Sequence, residues 1–224
     1  MADDIVDLIM KIVLLGPPGA GKGTLAKMLK DALGLVHIST GDILREEMKA
    51  DSHLGREAKQ YIESGGLVPD ELVTKIVENK FATDSSLKDG YMLDGFPRTV
   101  PQAQDLDKIL AKTQVGFDYA LYMESTLPVI IRRLTGRRVC RSCGAVYHMV
   151  NRPSKKEGVC DSCGGELYQR ADDNEETIRK RMDVYLENTL PIAQFYEAKN
   201  RLRKVNGDDE TEAIRDALLN EDKK

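Results

Sequence analysis

A glycine-rich segment with a single lysine carries the clearest chemical signal in this 224-residue sequence. It reads GPPGAGKGT over residues 16–24 and directly follows the continuous apolar run KIVLL, residues Lys11–Leu15. Glycines let backbone N–H groups approach phosphate oxygens, and the N-terminus of a following helix adds partial positive charge. Lys22 supplies a cation for the β- and γ-phosphates of a nucleotide. The pattern predicts a phosphate-binding loop; the alternative, a strand-to-helix turn without a ligand, needs neither the lysine nor so many glycines.

One position of this loop departs from the usual pattern. A P-loop places Ser or Thr directly after the lysine, where the hydroxyl binds Mg2+. Here Gly23 follows Lys22, and Thr24 comes one residue late, so the metal-binding role of that hydroxyl stays open. A regulatory GTPase or ATPase switch needs the usual hydroxyl, so the departure weighs against that class.

Four cysteines form a second chemical signature. They follow the pattern CxxC-x16-CxxC and are Cys140, Cys143, Cys160 and Cys163. Two thiolate pairs at this interval are typical of a tetrahedral zinc site, and a site with four protein ligands leaves no position for a catalytic water. The sequence therefore predicts structural Zn2+. A pair of disulfides is the alternative, and a zinc ribbon that binds nucleic acid remains a second function class.

Charge and hydropathy limit where this chemistry takes place. Basic residues number 33 and acidic residues 37, so the formal charge of -4 disfavours a globally basic nucleic-acid-binding protein. No apolar run approaches the ~20 residues that span a bilayer. Residues 1–9 are acidic and lack the features of a signal peptide, and we interpret them as an N-terminal extension. We expect a cytoplasmic protein with reduced cysteines, no membrane association and no nucleic-acid partner.

Alternating strand and helix patterns must position these residues. Short apolar runs predict strands at Lys11–Leu15, Val36–Ile38, Tyr91–Leu93, Tyr119–Met123 and Arg203–Val205. Periodic segments between them predict helices at 22–33, 42–49, 54–64, 69–82, 102–111, 127–134, 174–199 and 210–219. Strands separated by helices indicate an α/β fold with a parallel sheet. Residues 138–172 interrupt the alternation and are interpreted as an insertion.

Arginines suggest a second anion site beyond the P-loop. Arg98 follows a strand and a Gly-Phe-Pro turn, so it should project at the carboxyl edge of the sheet, where ligands of open α/β folds bind. Arg45 lies in the turn-bearing segment after the second strand. Arg133 and Arg137 are four residues apart, which places them on one helical face or at its frayed end.

Further motifs occur in a fixed order along nearly the whole chain, from about Lys11 to Gly207. They are STGDILR at 39–45, GLVPDELV at 66–73, LDGFPRT at 93–99 with Gln102, GRR at 136–138 and EETIRKR at 175–181. With the P-loop, these motifs resemble the nucleoside monophosphate kinase family, and within it the adenylate kinases with a long LID. The resemblance implies a P-loop parallel sheet flanked by helices, with a small helical NMP-binding insertion and a zinc-bearing LID insertion.

The resemblance also implies the boundaries of these parts. The core comprises 10–38, 69–137 and 175–224, the NMP-binding subdomain 39–68, and the LID 138–174. The implied reaction is reversible, Mg2+-dependent phosphoryl transfer from ATP to AMP, which gives two ADP. We expect a monomer whose partners are ATP, AMP and ADP.

Roles for individual residues follow from the same resemblance. The ATP-binding set is Gly19, Ala20, Gly21, Lys22, Gly23, Thr24, Arg133 and Arg137. The AMP-binding set is Thr40, Arg45, Gly95, Arg98, Gln102, Arg170 and Arg181. The catalytic set is Lys22, Asp94, Arg98, Arg133, Arg137, Arg170 and Arg181.

Three of these assignments bear on mechanism and specificity. Asp94 holds Mg2+ through water, and no general base is assigned because the AMP phosphate is already anionic. Gln102 pairs with the adenine edge, and Thr40 favours AMP because the similar UMP/CMP kinases usually carry Ala there. A kinase for another nucleoside monophosphate, and a zinc-ribbon nucleic-acid-binding ATPase, remain alternatives.

Overall fold

A central sheet of five parallel strands organises the computed structural model, which describes residues 10–221; the proposed extension, residues 1–9, lies outside the described residues. The strands of the chain are β1 (Lys11–Leu15), β2 (Val36–Ser39), β3 (Tyr91–Asp94), β4 (Tyr119–Glu124), β5 (Arg137–Cys140), β6 (Val146–His148), β7 (Leu167–Tyr168) and β8 (Leu202–Asn206). The central sheet has the order β2-β3-β1-β4-β8. In register, Val13 of β1 pairs with Leu93 of β3 on one side and Ala120 of β4 on the other. The predicted α/β fold is confirmed.

Helices cover both faces of this sheet, which is why its inner strands are continuously apolar. The helices are α1 (Lys22–Leu33), α2 (Thr40–Lys49), α3 (His53–Glu63), α4 (Asp70–Thr83), α5 (Val100–Thr113), α6 (Leu127–Thr135), α7 (Glu175–Val184), α8 (Leu190–Glu197) and α9 (Thr211–Glu221). Ile12 and Leu14 of β1 belong to a buried cluster with side chains of α1 and α9. Val13, the intervening residue, belongs to the opposite cluster with side chains of α4, α5 and α8. Successive side chains of β1 point to opposite faces of the sheet, so this strand contributes to both apolar cores.

Two smaller units extend from the core. Helices α2 and α3 form a hairpin whose N-caps are Ser39 and Ser52. The two helices approach closely at Gly55, where an added Cβ would lie 2.1 Å from the Glu47 carbonyl oxygen. The second unit is a three-stranded antiparallel sheet of order β6-β5-β7, which lies within the cysteine-bearing segment.

The prediction of one uninterrupted α-helix over 174–199 is wrong, because a π-helical turn divides the segment into two α-helices. Helix α7 ends at Val184, a π-helical turn spans Tyr185–Thr189, and α8 begins at Leu190. Pro191 explains the interruption, because it has no N–H for the carbonyl four residues earlier and its ring crowds the preceding turn. The π-turn absorbs the irregularity with a bond from the Leu190 N–H to the Tyr185 carbonyl.

Arg137 also differs from the prediction that it lies with Arg133 on one helical face or at the frayed end of that helix. Helix α6 ends at Thr135, and Arg137 is the first residue of β5. Across the described part of the chain, no helix combines the length and apolar character needed to cross a membrane.

Candidate active site

The phosphate loop connects β1 to α1 in a conformation that depends on glycine. Gly16 has a φ of +139°, and a Cβ there would lie 2.4 Å from the carbonyl oxygen of Met123 on β4. No side chain fits in that space, so the loop runs directly along the end of the sheet. The Lys22 Nζ donates to the carbonyl oxygens of Gly16 and Pro17, at 2.8 and 2.9 Å. The ammonium group therefore lies across the loop.

Positive charges converge on Lys22. Burial lowers its pKa to about 8; nearby Asp94 raises it, and the guanidinium groups of Arg98, Arg181 and Arg137 lower it further. These groups come from four separate elements of the chain, so the fold concentrates cations beside the loop. A site of this kind attracts and orients phosphate oxygens.

Asp94 supplies the one carboxylate at the end of β3, directly opposite Leu14 of β1. Burial favours its neutral form, but His37 and the charge of Lys22 outweigh burial and lower the pKa of Asp94. The Nε2 atom of His37 lies 3.7 Å from Oδ2 of Asp94. A Cβ on Gly23 would lie 3.6 Å from the same oxygen, so the loop and the carboxylate adjoin. This hard oxygen donor beside a phosphate loop fits Mg2+.

The turn after β3 positions a guanidinium and an amide. The Arg98 Nε donates to the Gly95 carbonyl at 2.9 Å. Gly95 has a φ of +82°, and a Cβ there would lie 2.8 Å from Oγ1 of Thr40. Gln102, on the first turn of α5, is 2 % exposed and accepts the Arg98 backbone N–H at 2.7 Å. The turn and the start of α2 therefore pack as one wall of the cleft, with Arg98 open to solvent.

Two arginines meet at a carboxylate of α2. Arg45 donates to Asp42 from the next helical turn, and Nη2 of Arg170 lies 3.7 Å from the same Asp42 oxygen. Burial, together with the charges of Arg45 and Arg137, lowers the pKa of Arg170 to about 10. The Arg170 Nε is buried and has no hydrogen-bond partner among residues 10–221. Because this N–H donor is unsatisfied, Arg170 has free hydrogen-bonding capacity for an anionic ligand.

Two adjacent aspartates orient the remaining arginines. Asp173 is fully buried and accepts two hydrogen bonds from Arg137, with Nε at 2.8 Å. Asp172 accepts from Nη1 of Arg181 at 2.8 Å, and the same nitrogen lies 3.7 Å from Asp173. Burial raises the pKa of Asp172, but the positive charges of Arg181, Arg137 and Arg170 lower it overall. The aspartate pair thus fixes two guanidinium groups from different elements, and that of Arg181 lines the cleft.

Arg133 is placed apart from this cluster. Its Nη1 donates to the Gly207 carbonyl and reaches the Ala20 carbonyl of the phosphate loop at 3.5 Å. Its Nη2 donates to the carbonyl of Asp209 at 3.3 Å. Arg133 therefore joins the phosphate loop to the segment after β8.

The structure gathers many of the predicted residues around one cleft. Its lining includes Lys22, Thr40, Arg45, Asp94, Gly95, Arg98, Gln102 and Arg181. Arg170 lines an adjoining cavity that shares Arg45 and Asp172. Predicted residues outside the lining of both are Gly19, Ala20, Gly21, Gly23, Thr24, Arg133 and Arg137.

Sequence reasoning missed several acidic residues that organise this cleft. Asp42, Asp172 and Asp173 bind the arginines, and Asp70 binds Gln102. The adjacent pair at 172 and 173 lies two residues after Arg170 but is absent from the predicted sets of site residues. A pair of acids between two predicted arginines is the signal that could have identified it, since buried arginines need carboxylate partners.

The four cysteine sulfurs lie within 4.8 Å of one another. Sγ of Cys140 is 3.5 Å from Sγ of Cys163, and Cys143 is 3.6 Å from Cys160. A disulfide needs about 2.05 Å, whereas four sulfurs about 2.3 Å from one tetrahedral zinc ion are about 3.8 Å apart. The donor set and spacing therefore fit zinc, and all four cysteines are free in the structure. Each knuckle closes with a glycine N–H bonded to the first cysteine's carbonyl, Gly144 to Cys140 and Gly164 to Cys160.

Comparisons with known proteins agree with this arrangement. A family model described as adenylate kinase matches residues 14–201. An adenylate kinase of Geobacillus sp. (strain WCH70) is 49% identical over 205 residues, which cover 92% of this chain and 94% of the relative. One from Caldicellulosiruptor saccharolyticus is 50% identical over 201 residues, 90% of this chain and 93% of the relative. One from the organism Methanocella arvoryzae is 49% identical over 205 residues, with coverage of 92% and 94%.

Proposed function

The chain belongs to the adenylate kinase family and is a phosphotransferase, and from this premise we propose how its cleft carries out the reaction ATP + AMP to two ADP. The observation that carries the proposal is the convergence of Lys22, Asp94, Arg98 and Arg181 on one cleft beside a phosphate loop. One cation set suits the donor phosphates and a second suits the acceptor phosphate.

We assign the donor nucleotide to the end of the cleft at the phosphate loop and the acceptor nucleotide to the end at Arg45 and Arg98. Backbone N–H groups of the loop and Lys22 bind the β- and γ-phosphates of ATP, and Arg133 supports the loop through the Ala20 carbonyl. Arg45 and Arg98 bind the phosphate of AMP, and Gln102 with Thr40 borders its base. Both nucleotides then present their phosphates to the space between Lys22 and Arg98.

Transfer requires alignment and charge neutralisation. An oxygen of the AMP phosphate forms a bond to the γ-phosphorus, and the bond from that phosphorus to the β-bridging oxygen breaks, which leaves ADP on both sides. No proton has to move, because the attacking phosphate is anionic. Arg137, Arg170 and Arg181 neutralise the charge that spreads over the transferring group, and Asp173 holds Arg137 in place for this purpose.

The proposal includes two metals, one for the reaction and one for the structure of the LID. The carboxylate of Asp94 would hold Mg2+ through water, and Mg2+ bound with ATP supplies shielding of the phosphate charges. The thiolates of Cys140, Cys143, Cys160 and Cys163 would hold structural Zn2+, which supplies a cross-link within the LID. The small apolar cluster of this unit, Cys140, Tyr147 and Cys160 with Ala145 and Leu167, supports that role because so few side chains cannot hold the unit alone.

The division into parts is likewise proposed. The α2–α3 hairpin serves as the NMP-binding unit and residues 138–174 serve as the LID over a core of the remaining residues. We propose a monomer that acts on ATP, AMP and ADP, and a cytoplasmic location suits those substrates. Sedimentation equilibrium with and without nucleotides tests the oligomeric state.

A coupled assay for ADP formed from ATP and AMP tests the reaction. We expect activity that depends on both nucleotides and on Mg2+; ATP hydrolysis without AMP-dependent ADP would contradict the function. Helix α7 offers a matched pair of variants. Arg181→Ala removes a cleft cation and should lower kcat at least about a hundredfold, whereas Arg179→Ala removes an exposed cation paired with Glu175 and should leave kcat unchanged.

Arg98→Ala separates the two nucleotide positions. We expect a higher KM for AMP and a lower kcat, with a smaller change in the KM for ATP, because Arg98 belongs to the acceptor side. Equal changes in both KM values would place Arg98 elsewhere in the site.

A further inference from the structure

Asp70 is the first residue of α4, and both of its carboxylate oxygens point toward the start of α5. Oδ1 accepts a hydrogen bond from Nε2 of Gln102 at 2.7 Å. Oδ2 accepts from Oγ1 of Thr99 at 2.6 Å. Thr99 is the N-cap of α5 and in turn accepts the Gln102 backbone N–H at 3.2 Å. Asp70 therefore joins two helices through a network that includes Gln102.

The amide of Gln102 is held from two sides. Its Nε2 faces Asp70, and its Oε1 accepts the Arg98 backbone N–H at 2.7 Å. A carboxylate only accepts and a backbone N–H only donates, so the amide has a single compatible orientation. A 180° flip would place oxygen against carboxylate and N–H against N–H, and both hydrogen bonds would be lost.

Part of this amide remains available to a ligand. One Nε2 hydrogen and one Oε1 lone pair are left after the two bonds, and Gln102 lines the cleft. A carboxamide binds a 6-aminopurine by accepting from the 6-amino group and donating to a neighbouring ring nitrogen. At a 6-oxopurine in the same place, the oxo group requires a donor, which the amide provides only after a flip. A freely rotating glutamine would thus accept both purines, and a locked one would select the 6-aminopurine.

We propose that Asp70 is a positioning residue that locks the Gln102 amide and thereby makes the acceptor site selective for 6-aminopurine over 6-oxopurine monophosphates. The inference rests on the proposed function, in which Gln102 borders the acceptor base. It assigns selectivity to a carboxylate that lies behind Gln102 and is not among the residues that line the cleft.

The test compares AMP with IMP, which differs from AMP at the 6-position and the protonation of the adjacent ring nitrogen. IMP is measured as an acceptor and as a competitive inhibitor against AMP. Asp70→Ala should lower the AMP-over-IMP ratio of kcat/KM about tenfold, because a flip then costs one hydrogen bond and not two. The KM for ATP should stay unchanged. Glu71→Ala is the matched control, since it removes an exposed acid from the same helical turn, and its ratio should equal that of the wild type.

Two further variants distinguish selectivity from structure. Asp70→Asn keeps an oxygen that can accept from Gln102, so we expect the AMP preference to be largely restored. Asp70→Ser retains a residue suited to a helix N-terminus and replaces the alanine variant if that variant does not fold. An unchanged ratio in a folded Ala or Ser variant, or an equal loss with AMP and IMP, would overturn the inference alone. A wild-type enzyme that forms no ADP from AMP would overturn the proposed function and the inference with it.

Discussion

Replacement of Asp173 by Asn tests whether the buried carboxylate positions the guanidinium of Arg137, for which we propose a catalytic role. The side chain is fully buried and its two oxygens accept two hydrogen bonds from Arg137. Asn keeps the shape but offers one oxygen, and its NH2 group opposes a guanidinium N–H. One charge-assisted hydrogen bond is lost, which is worth about 1.5–3 kcal/mol.

That free energy sets the size of two effects. If the loss falls on the transition state, kcat should decrease about 10- to 150-fold, at 1.36 kcal/mol for each factor of ten. If the lost hydrogen bond also destabilises the folded state, the melting temperature should decrease by about 3–12 °C. A loss of 1 kcal/mol in the free energy of unfolding lowers the melting temperature of a chain of this size by about 2–4 °C. Turnover measured at 25 °C, with the folded fraction monitored by circular dichroism, separates the two effects.

Glu176→Gln provides the control, because it removes one negative charge from the exposed first turn of α7 near the same segment. We expect wild-type turnover for this variant. A folded Asp173→Asn enzyme whose kcat lies within threefold of the wild type would refute the reasoning, since Arg137 would then be positioned without its carboxylate partner.

Four shorter predictions follow from other parts of the site. Lys22→Ala should reduce kcat by several orders of magnitude with an unchanged melting temperature, because its charge acts on the transferring phosphates; near-normal turnover would show that the donor site lies elsewhere. ATP affinity should decrease as the pH rises above about 8, because binding must then add a proton to Lys22, whose pKa is about 8 before anions bind; calorimetric titrations from pH 7 to 9.5 should show this slope, and Lys22→Arg should abolish it. Thr40→Ala should increase the use of CMP or UMP relative to AMP in an acceptor panel, and an unchanged panel would remove Thr40 as the selector. Cys163→Ser should lower the zinc content and the melting temperature while turnover at moderate temperature decreases much less; Ser162→Ala, in the same knuckle, should change neither, and unchanged melting after metal loss would contradict the structural role.

The sheet was predictable because its chemistry is local. A strand buried on both faces, such as β1, requires a continuous apolar run, and a loop that passes 2.4 Å from a carbonyl requires glycine. The cysteine spacing is equally local, since each CxxC pair closes within one turn. Patterns of this kind are visible in the order of residues before any tertiary contact is known.

The missed features depend on contacts between distant residues. Asp173 binds Arg137 across 36 positions, and Asp70 binds Gln102 across 32, so no spacing rule connects them. The interruption of the helix at 174–199 had a visible signal in Pro191, which the apolar periodicity outweighed. Arg137 was expected near a helix end, but pairing with the strand at His148 draws it into the antiparallel sheet.

The bond from Arg133 to the Gly207 carbonyl has a consequence for synthesis of the chain on the ribosome. The phosphate loop is translated almost two hundred positions before the carbonyl that anchors Arg133. Strand β8, which precedes that carbonyl, also covers the open edge of β4. A nascent chain released only to residue 201 would carry the loop without this anchor and with an unpaired strand edge. Nucleotide binding should therefore be acquired when β8 leaves the exit tunnel, and not when the phosphate loop first appears.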